Sequence, residues 1–191
     1  FIHSRFSRNE NINLEYLPYR VEEANFDKFI KDFFSDKSAK GLNITLPHKK
    51  RAAKIKGIIS SEAKYINAVN TINNKDNDLF LFSTDGIGFI NDIDNKGFSL
   101  EGKKILIIGA GAAIESIMYR VAKSNPKETS IVNRTEEKAD RLIRKFSNMT
   151  TIKSNLNNDT TYDLVINGSS AGLTGNFEPI KDLSVNSNTY F

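Results

Sequence analysis

A chain of 191 residues has room for one large domain or two small ones. It has no cysteine and only two histidines, His3 and His48, which excludes disulfides and thiolate metal sites and leaves too little for a His-rich metal centre. The formal charge of +4 comes from Lys and Arg interleaved with Asp and Glu, a solvated-surface pattern that argues against nucleic acid, and no apolar run reaches the ~18 residues of a membrane helix.

Strand and helix patterns alternate along the chain, the mark of an α/β protein with parallel strands. Leu14 to Val21 reads as a strand, and Phe26, Phe29, Ile30, Phe33 and Phe34 make one apolar helix face. Gly41 to Leu46 predicts a strand stopped by Pro47, with a helix after Lys49. Ile66 to Ile72 and Leu79 to Ser83 predict two strands, and the polar stretch Asn73 to Asn77 between them predicts a hairpin. Ile87, Ile90 and Ile93 line a further helix.

A second unit begins near Gly102. Lys104 to Ile108 is a continuous apolar run of buried-strand type, broken by Gly109-Ala110-Gly111 and followed by a helix through Ile114, Ile117, Met118 and Val121. Thr129 to Val132 is the next strand. Thr135 has the chemistry of a helix N-cap, with Glu136 and Glu137 in the first turn and Ala139, Leu142, Ile143 and Phe146 as the buried face. Thr150 to Ile152 and Asp163 to Asn167 read as short strands, and Thr189 to Phe191 as the start of another.

The turn Gly109-Ala110-Gly111-Ala112-Ala113 lies between a buried strand and a helix. Glycine allows a tight bend and close approach of a pyrophosphate, and the free N–H groups of the helix start attract its charge. At the end of the next strand, where an NAD site usually carries Asp or Glu, stand Asn133, Arg134 and Thr135, with Lys138 one helical turn on. A guanidinium, a hydroxyl and an ammonium at one spot suit the 2′-phosphate of NADP(H). The same residues also suit a plain helix start with surface charges. The small-residue loop Asn167 to Gly172, which includes Ser169, falls where the nicotinamide end of a cofactor would lie.

Three patches ahead of this unit gather small polar residues near strand ends: Asn43-Ile44-Thr45-Leu46-Pro47-His48-Lys49, Asn67-Ala68-Val69-Asn70-Thr71 and Ser83-Thr84-Asp85-Gly86. Their amides and hydroxyls can bond a polyol. Taken singly, Lys49 opens a solvated basic run and Asp85 is a helix cap.

In this order, with the glycine turn, Asn133-Arg134-Thr135 and Asn167 to Gly172, the segments resemble the motif set of shikimate dehydrogenases along the whole chain. The resemblance implies an α/β protein of two domains. Residues 1–85 would form a small, incomplete substrate domain with a mostly parallel sheet, and residues 86–191 a Rossmann-type NADP-binding domain, also incomplete. It implies reversible, NADPH-dependent reduction of 3-dehydroshikimate to shikimate in aromatic amino-acid biosynthesis. The protein would be a cytoplasmic monomer or homodimer, without metal, nucleic-acid or membrane partners.

By the same resemblance, Lys49 and Asp85 are the catalytic pair, and Asn43, Thr45 and Asn70 join them in holding substrate. Gly109, Ala110, Gly111, Ala112, Ala113, Asn133, Arg134, Thr135, Lys138 and Ser169 are the cofactor set. Ser83 stands for the family's usual Asn, Ala112 for a common Gly and Ser169 for a common Thr. The chain reads as a fragment, since the family's upstream Ser-x-Ser segment and its C-terminal stretch with a substrate-binding Gln are not within it. A quinate/shikimate dehydrogenase of broader specificity and a catalytically silent NADP-binding regulator are the alternatives. Glutamyl-tRNA reductase shares the Gly-x-Gly and Asn-Arg-Thr features but needs a cysteine nucleophile, absent here.

Overall fold

The computed structural model describes residues 2–154, 161–169 and 187–190. The chain divides into two compact units, Phe1–Ala39 and Lys40–Phe191. No helix among the described residues is long and apolar enough to cross a membrane.

The first unit holds helix α1 (Ile2–Asn9), which the sequence reading missed, and α2 (Phe26–Phe33). The apolar face of α2 is as expected, with Phe26 and Ile30 buried and the rings of Phe29 and Phe33 packed on Tyr19 at 5.3 and 5.8 Å. Leu14 to Val21, expected as a strand, has no regular secondary structure. A strand needs a neighbouring edge for its N–H and C=O groups, and no described strand pairs with this segment.

The second unit contains two sheets. The first is built from β1 (Gly41–Asn43), α3 (Lys49–Ala52), β2 (Ile58–Ile59), α4 (Ser61–Ile66), β3 (Thr71–Lys75), β4 (Asp78–Phe82) and α5 (Asp85–Asn95). Its strand order is β1-β3-β4-β2. The expectation of a mostly parallel sheet is corrected: β1–β3 and β3–β4 are antiparallel, and β2–β4 is the parallel pair. For β3–β4 the reason is the hairpin. Asp76 and Asn77 both take positive φ (53° and 70°), the two-residue turn that returns one strand beside the last. The strand expected over Ile66 to Ile72 starts only at Thr71, because α4 occupies its first residue. Ser60 caps α4 by accepting the Ala63 N–H at 3.2 Å, and Asn67 ends it with φ 60°.

The second sheet comprises β5 (Lys104–Ile108), α6 (Ala112–Lys123), β6 (Glu128–Val132), α7 (Glu136–Phe146), β7 (Ile152–Lys153) and β8 (Leu164–Asn167). Its order is β7-β6-β5-β8, with each of these pairs parallel. The apolar run of β5 is covered on both faces. Ile105 and Ile107 join Ile114, Met118, Val121 and Phe146 in one core cluster, while Leu106 packs with Tyr162 and Val165 in another. Tyr190 bridges β8 in the parallel sense, as the strand expected from Thr189 requires, while Phe191 lies outside the described residues.

Candidate active site

The hairpin brings the polar patches to one end of the first sheet. Register sets Asn43 opposite Thr71 and Thr71 opposite Phe82, so the residues just beyond these strand ends must meet. Two backbone bonds close the loops: Ile44 N–H donates to Asn70 O at 2.7 Å, and Asn70 N–H to Phe82 O at 2.9 Å. Lys49, the first residue of α3, is tied to the same place, because its carbonyl accepts the Val69 N–H at 2.9 Å.

There the side chains form one connected cluster. Lys49 Nζ donates to Asp85 Oδ2 at 2.7 Å, and Asn70 Nδ2 donates to Asp85 Oδ1 at 2.8 Å. Asn70 Oδ1 accepts from Thr84 N (3.0 Å), Thr84 Oγ1 (3.1 Å) and Thr71 Oγ1 (2.9 Å). Asn43 Nδ2 reaches Thr71 Oγ1 at 3.4 Å. Asn70 is buried, whereas Lys49 and Asp85 keep 24% and 35% of their side chains exposed, so the charged pair can be reached from solvent. An ammonium held by a carboxylate can stabilise a developing oxyanion and give it a proton.

Of the expected residues, Lys49, Asp85, Asn70 and Asn43 are thus brought together. Thr45 is exposed on the loop between Asn43 and Lys49, where its carbonyl accepts the His48 N–H. Thr71 and Thr84, present in the sequence only as members of the polar patches and outside the expected site set, orient Asn70 through their hydroxyls. Their adjacency to Asn70 and Asp85 was the available signal. Ser83 is buried.

On the second sheet, Gly109 has φ 109°, and a Cβ there would lie 2.9 Å from the Gly168 carbonyl carbon. Only glycine fits this crossing of the β5 and β8 loops. Gly111, at the N-cap of α6, is exposed and a Cβ on it would meet nothing within 4 Å, so space for a phosphate stands over the helix start. Ala112 and Ala113 are exposed in that first turn.

Asn133 braces the turn: its Oδ1 accepts the Ala110 N–H at 3.1 Å and its Nδ2 donates to Thr135 O at 2.7 Å. Arg134, Thr135 and Lys138 are exposed at the same corner. Thr135 does hold the N-cap position of α7, but its side chain makes no capping bond, contrary to expectation. Its backbone is anchored instead by Asn133. Ser169 folds back, donating from N and Oγ to Asn167 Oδ1, while 170–172 of that loop lie outside the described residues. The glycine crossing, the open helix start and the exposed cations together fit a phosphorylated dinucleotide.

A parallel sheet with a glycine turn opening onto a helix, beside a sheet bearing a lysine–carboxylate pair, defines an α/β dinucleotide-binding protein equipped for proton transfer. Known proteins agree. The sequence profile "Shikimate dehydrogenase substrate binding domain" matches residues 1–72, and "Shikimate / quinate 5-dehydrogenase" matches residues 92–173. A shikimate dehydrogenase (NADP(+)) of Saccharophagus degradans is 38% identical over 94% of this chain and 68% of its own length. Among solved structures, an Ael1 enzyme from Pseudomonas putida superposes with a TM-score of 0.83 at 30% identity, covering 94% of this chain and 67% of that one. A shikimate dehydrogenase solved in complex with NADP+ gives 0.82 at 28% identity, over 96% and 69%. The chain belongs to the shikimate dehydrogenase family, NADP-dependent oxidoreductases acting on a CH–OH group.

Proposed function

We propose that this protein catalyses the reversible, NADPH-dependent reduction of 3-dehydroshikimate to shikimate, with residues 1–85 serving substrate and catalysis and 86–191 serving the cofactor. The observation that carries this reading is the Lys49–Asp85–Asn70 cluster, a proton donor fixed by a carboxylate at the open end of a sheet. Bound NADPH supplies the hydride. Lys49 stabilises the negative charge that grows on the ketone oxygen and delivers the proton. Asp85 keeps the ammonium oriented, and in the oxidative direction neutral Lys49 takes the proton back.

One N–H of Asn70 is taken by Asp85, which leaves its second for a substrate hydroxyl, alongside Asn43 and Thr45. Gly109 to Ala113 and Ser169 receive the pyrophosphate and nicotinamide end. Asn133 holds the turn in shape, and Arg134, Thr135 and Lys138 select the 2′-phosphate of NADP(H) over NAD(H). On this reading the protein works in the cytoplasm, within aromatic amino-acid biosynthesis.

The test follows the absorbance of NADPH when the full-length protein is given shikimate or quinate with NADP+ or NAD+. Rapid turnover of shikimate with NADP+ is expected. Equal use of quinate would mark a broader dehydrogenase, and cofactor binding without turnover of either acid would mark a silent regulator.

A further inference from the structure

Beneath the catalytic cluster lies a carboxylate that the mechanism does not use. Glu62, on α4, is only 5% exposed, and its Oε2 accepts from Arg120 Nε of α6 at 2.6 Å. Its other oxygen, Oε1, is buried without a hydrogen-bond partner among the described residues. Burying a charge in this way is costly, and the attraction of the pair does little more than offset that cost.

What it touches is the residue after Asp85. A Cβ on Gly86 would lie 2.6 Å from Glu62 Oε1, 2.8 Å from Arg120 Cγ and 3.2 Å from the Ser116 carbonyl. The first turn of α5 therefore rests directly on the Glu62–Arg120 pair, with no side chain between. Asp85 is the first residue of that turn, and its two oxygens are the ones taken by Lys49 and Asn70. The far end of α4 is held as well. Lys145 Nζ donates to Ile66 O and to Glu115 Oε1 of α6, both at 2.8 Å, just before the loop that carries Asn70. Thus Arg120 of α6 holds the start of α4, and Lys145 of α7 holds its end while pairing with α6 through Glu115.

We infer that Glu62 is a positioning residue. Its ion pair with Arg120 seats Gly86 and so sets the Asp85 carboxylate between Asn70 and Lys49. This inference rests on the function proposed above for Asp85. A side chain at Gly86 would have to displace the Glu62 carboxylate and the Arg120 stem, so glycine there lets the pair and the helix turn meet directly.

The test uses the full-length protein and two readouts, one of them independent of substrate. In the ligand-free protein, Glu62→Gln should move the NMR resonance of the Asn70 side-chain amide, which reports its bond to Asp85. With shikimate and NADP+, kcat should fall by about tenfold or more while the KM for NADP+ stays put, within the ~10²-fold that a misplacement near 1 Å costs. An Asn70 resonance that does not move overturns the inference, including where the melting temperature drops. If Glu62→Gln does not fold, Arg120→Lys carries the same test, since it keeps the cation but loses the guanidinium geometry. A wild type that never oxidises shikimate, with the resonance still moving, overturns the proposed substrate and upholds the positioning role.

Discussion

Around Asp85 the polar side chains already hold one another, whereas around Arg134 the cations stand in water. Asp85, Lys49, Asn70, Thr71 and Thr84 form a bonded cluster over a buried floor. Arg134, Thr135 and Lys138 are exposed, and beside them Asn133 is tied into the fold by side-chain bonds. The difference fits the roles proposed for the two regions. A proton donor has to be placed before the substrate arrives, since reaction rate depends steeply on its position. A phosphate-binding corner can leave its charges hydrated and gain its order from the ligand. The rigid parts of that corner are backbone: the Gly109 crossing and the start of α6.

Substitutions can break or sharpen this contrast. The largest effect is expected from Lys49→Ala, which should lower kcat for shikimate by ~10²–10⁴-fold with little change in KM. Steady-state kinetics on the full-length protein check it, and near-normal turnover would remove Lys49 from the chemistry. Next, Arg134→Asp should weaken NADPH by about 10–100-fold, the loss of one charge-assisted bond, and leave NADH affinity unharmed, as titration calorimetry would show. Gly109→Ala should act through the backbone. A left-handed alanine costs about 1–2 kcal/mol before the clash with Gly168, which for a chain of this size is a melting-temperature drop of roughly 4 °C or more. The smallest is Thr135→Ala. Since no capping bond is lost, thermal unfolding should register less than ~0.5 kcal/mol, against the ~1 kcal/mol of a working cap. A larger loss would mean that Thr135 is structural.

Regions differ in how readily their sequence can be read. From Lys104 to Phe146 the elements follow from local pattern alone. The four apolar residues Ile105 to Ile108 read as a buried strand, the glycines after them as a turn, and the periodic faces of α6 and α7 as its cover. The first sheet was harder. Its two-residue β2 carries too short a pattern to detect, and the strand expected at Ile66 began late because Ser60 and Asn67 bound a six-residue helix there. Leu14 to Val21 shows the opposite failure, strand chemistry in a segment that is in neither of the described sheets.

By itself the sequence determined the α/β alternation, the glycine turn, the hairpin and the identity of the polar residues at strand ends, because each depends on neighbours within a few positions. Tertiary structure alone decided that the first sheet is mixed, that Lys49 and Asp85 meet across 36 positions, and that Thr71, Thr84 and Glu62 stand around them. Those facts depend on which strand edges pair and which helices pack. Such long-range choices are settled by the summed burial and hydrogen bonding of the whole fold, and no local window of residues contains them.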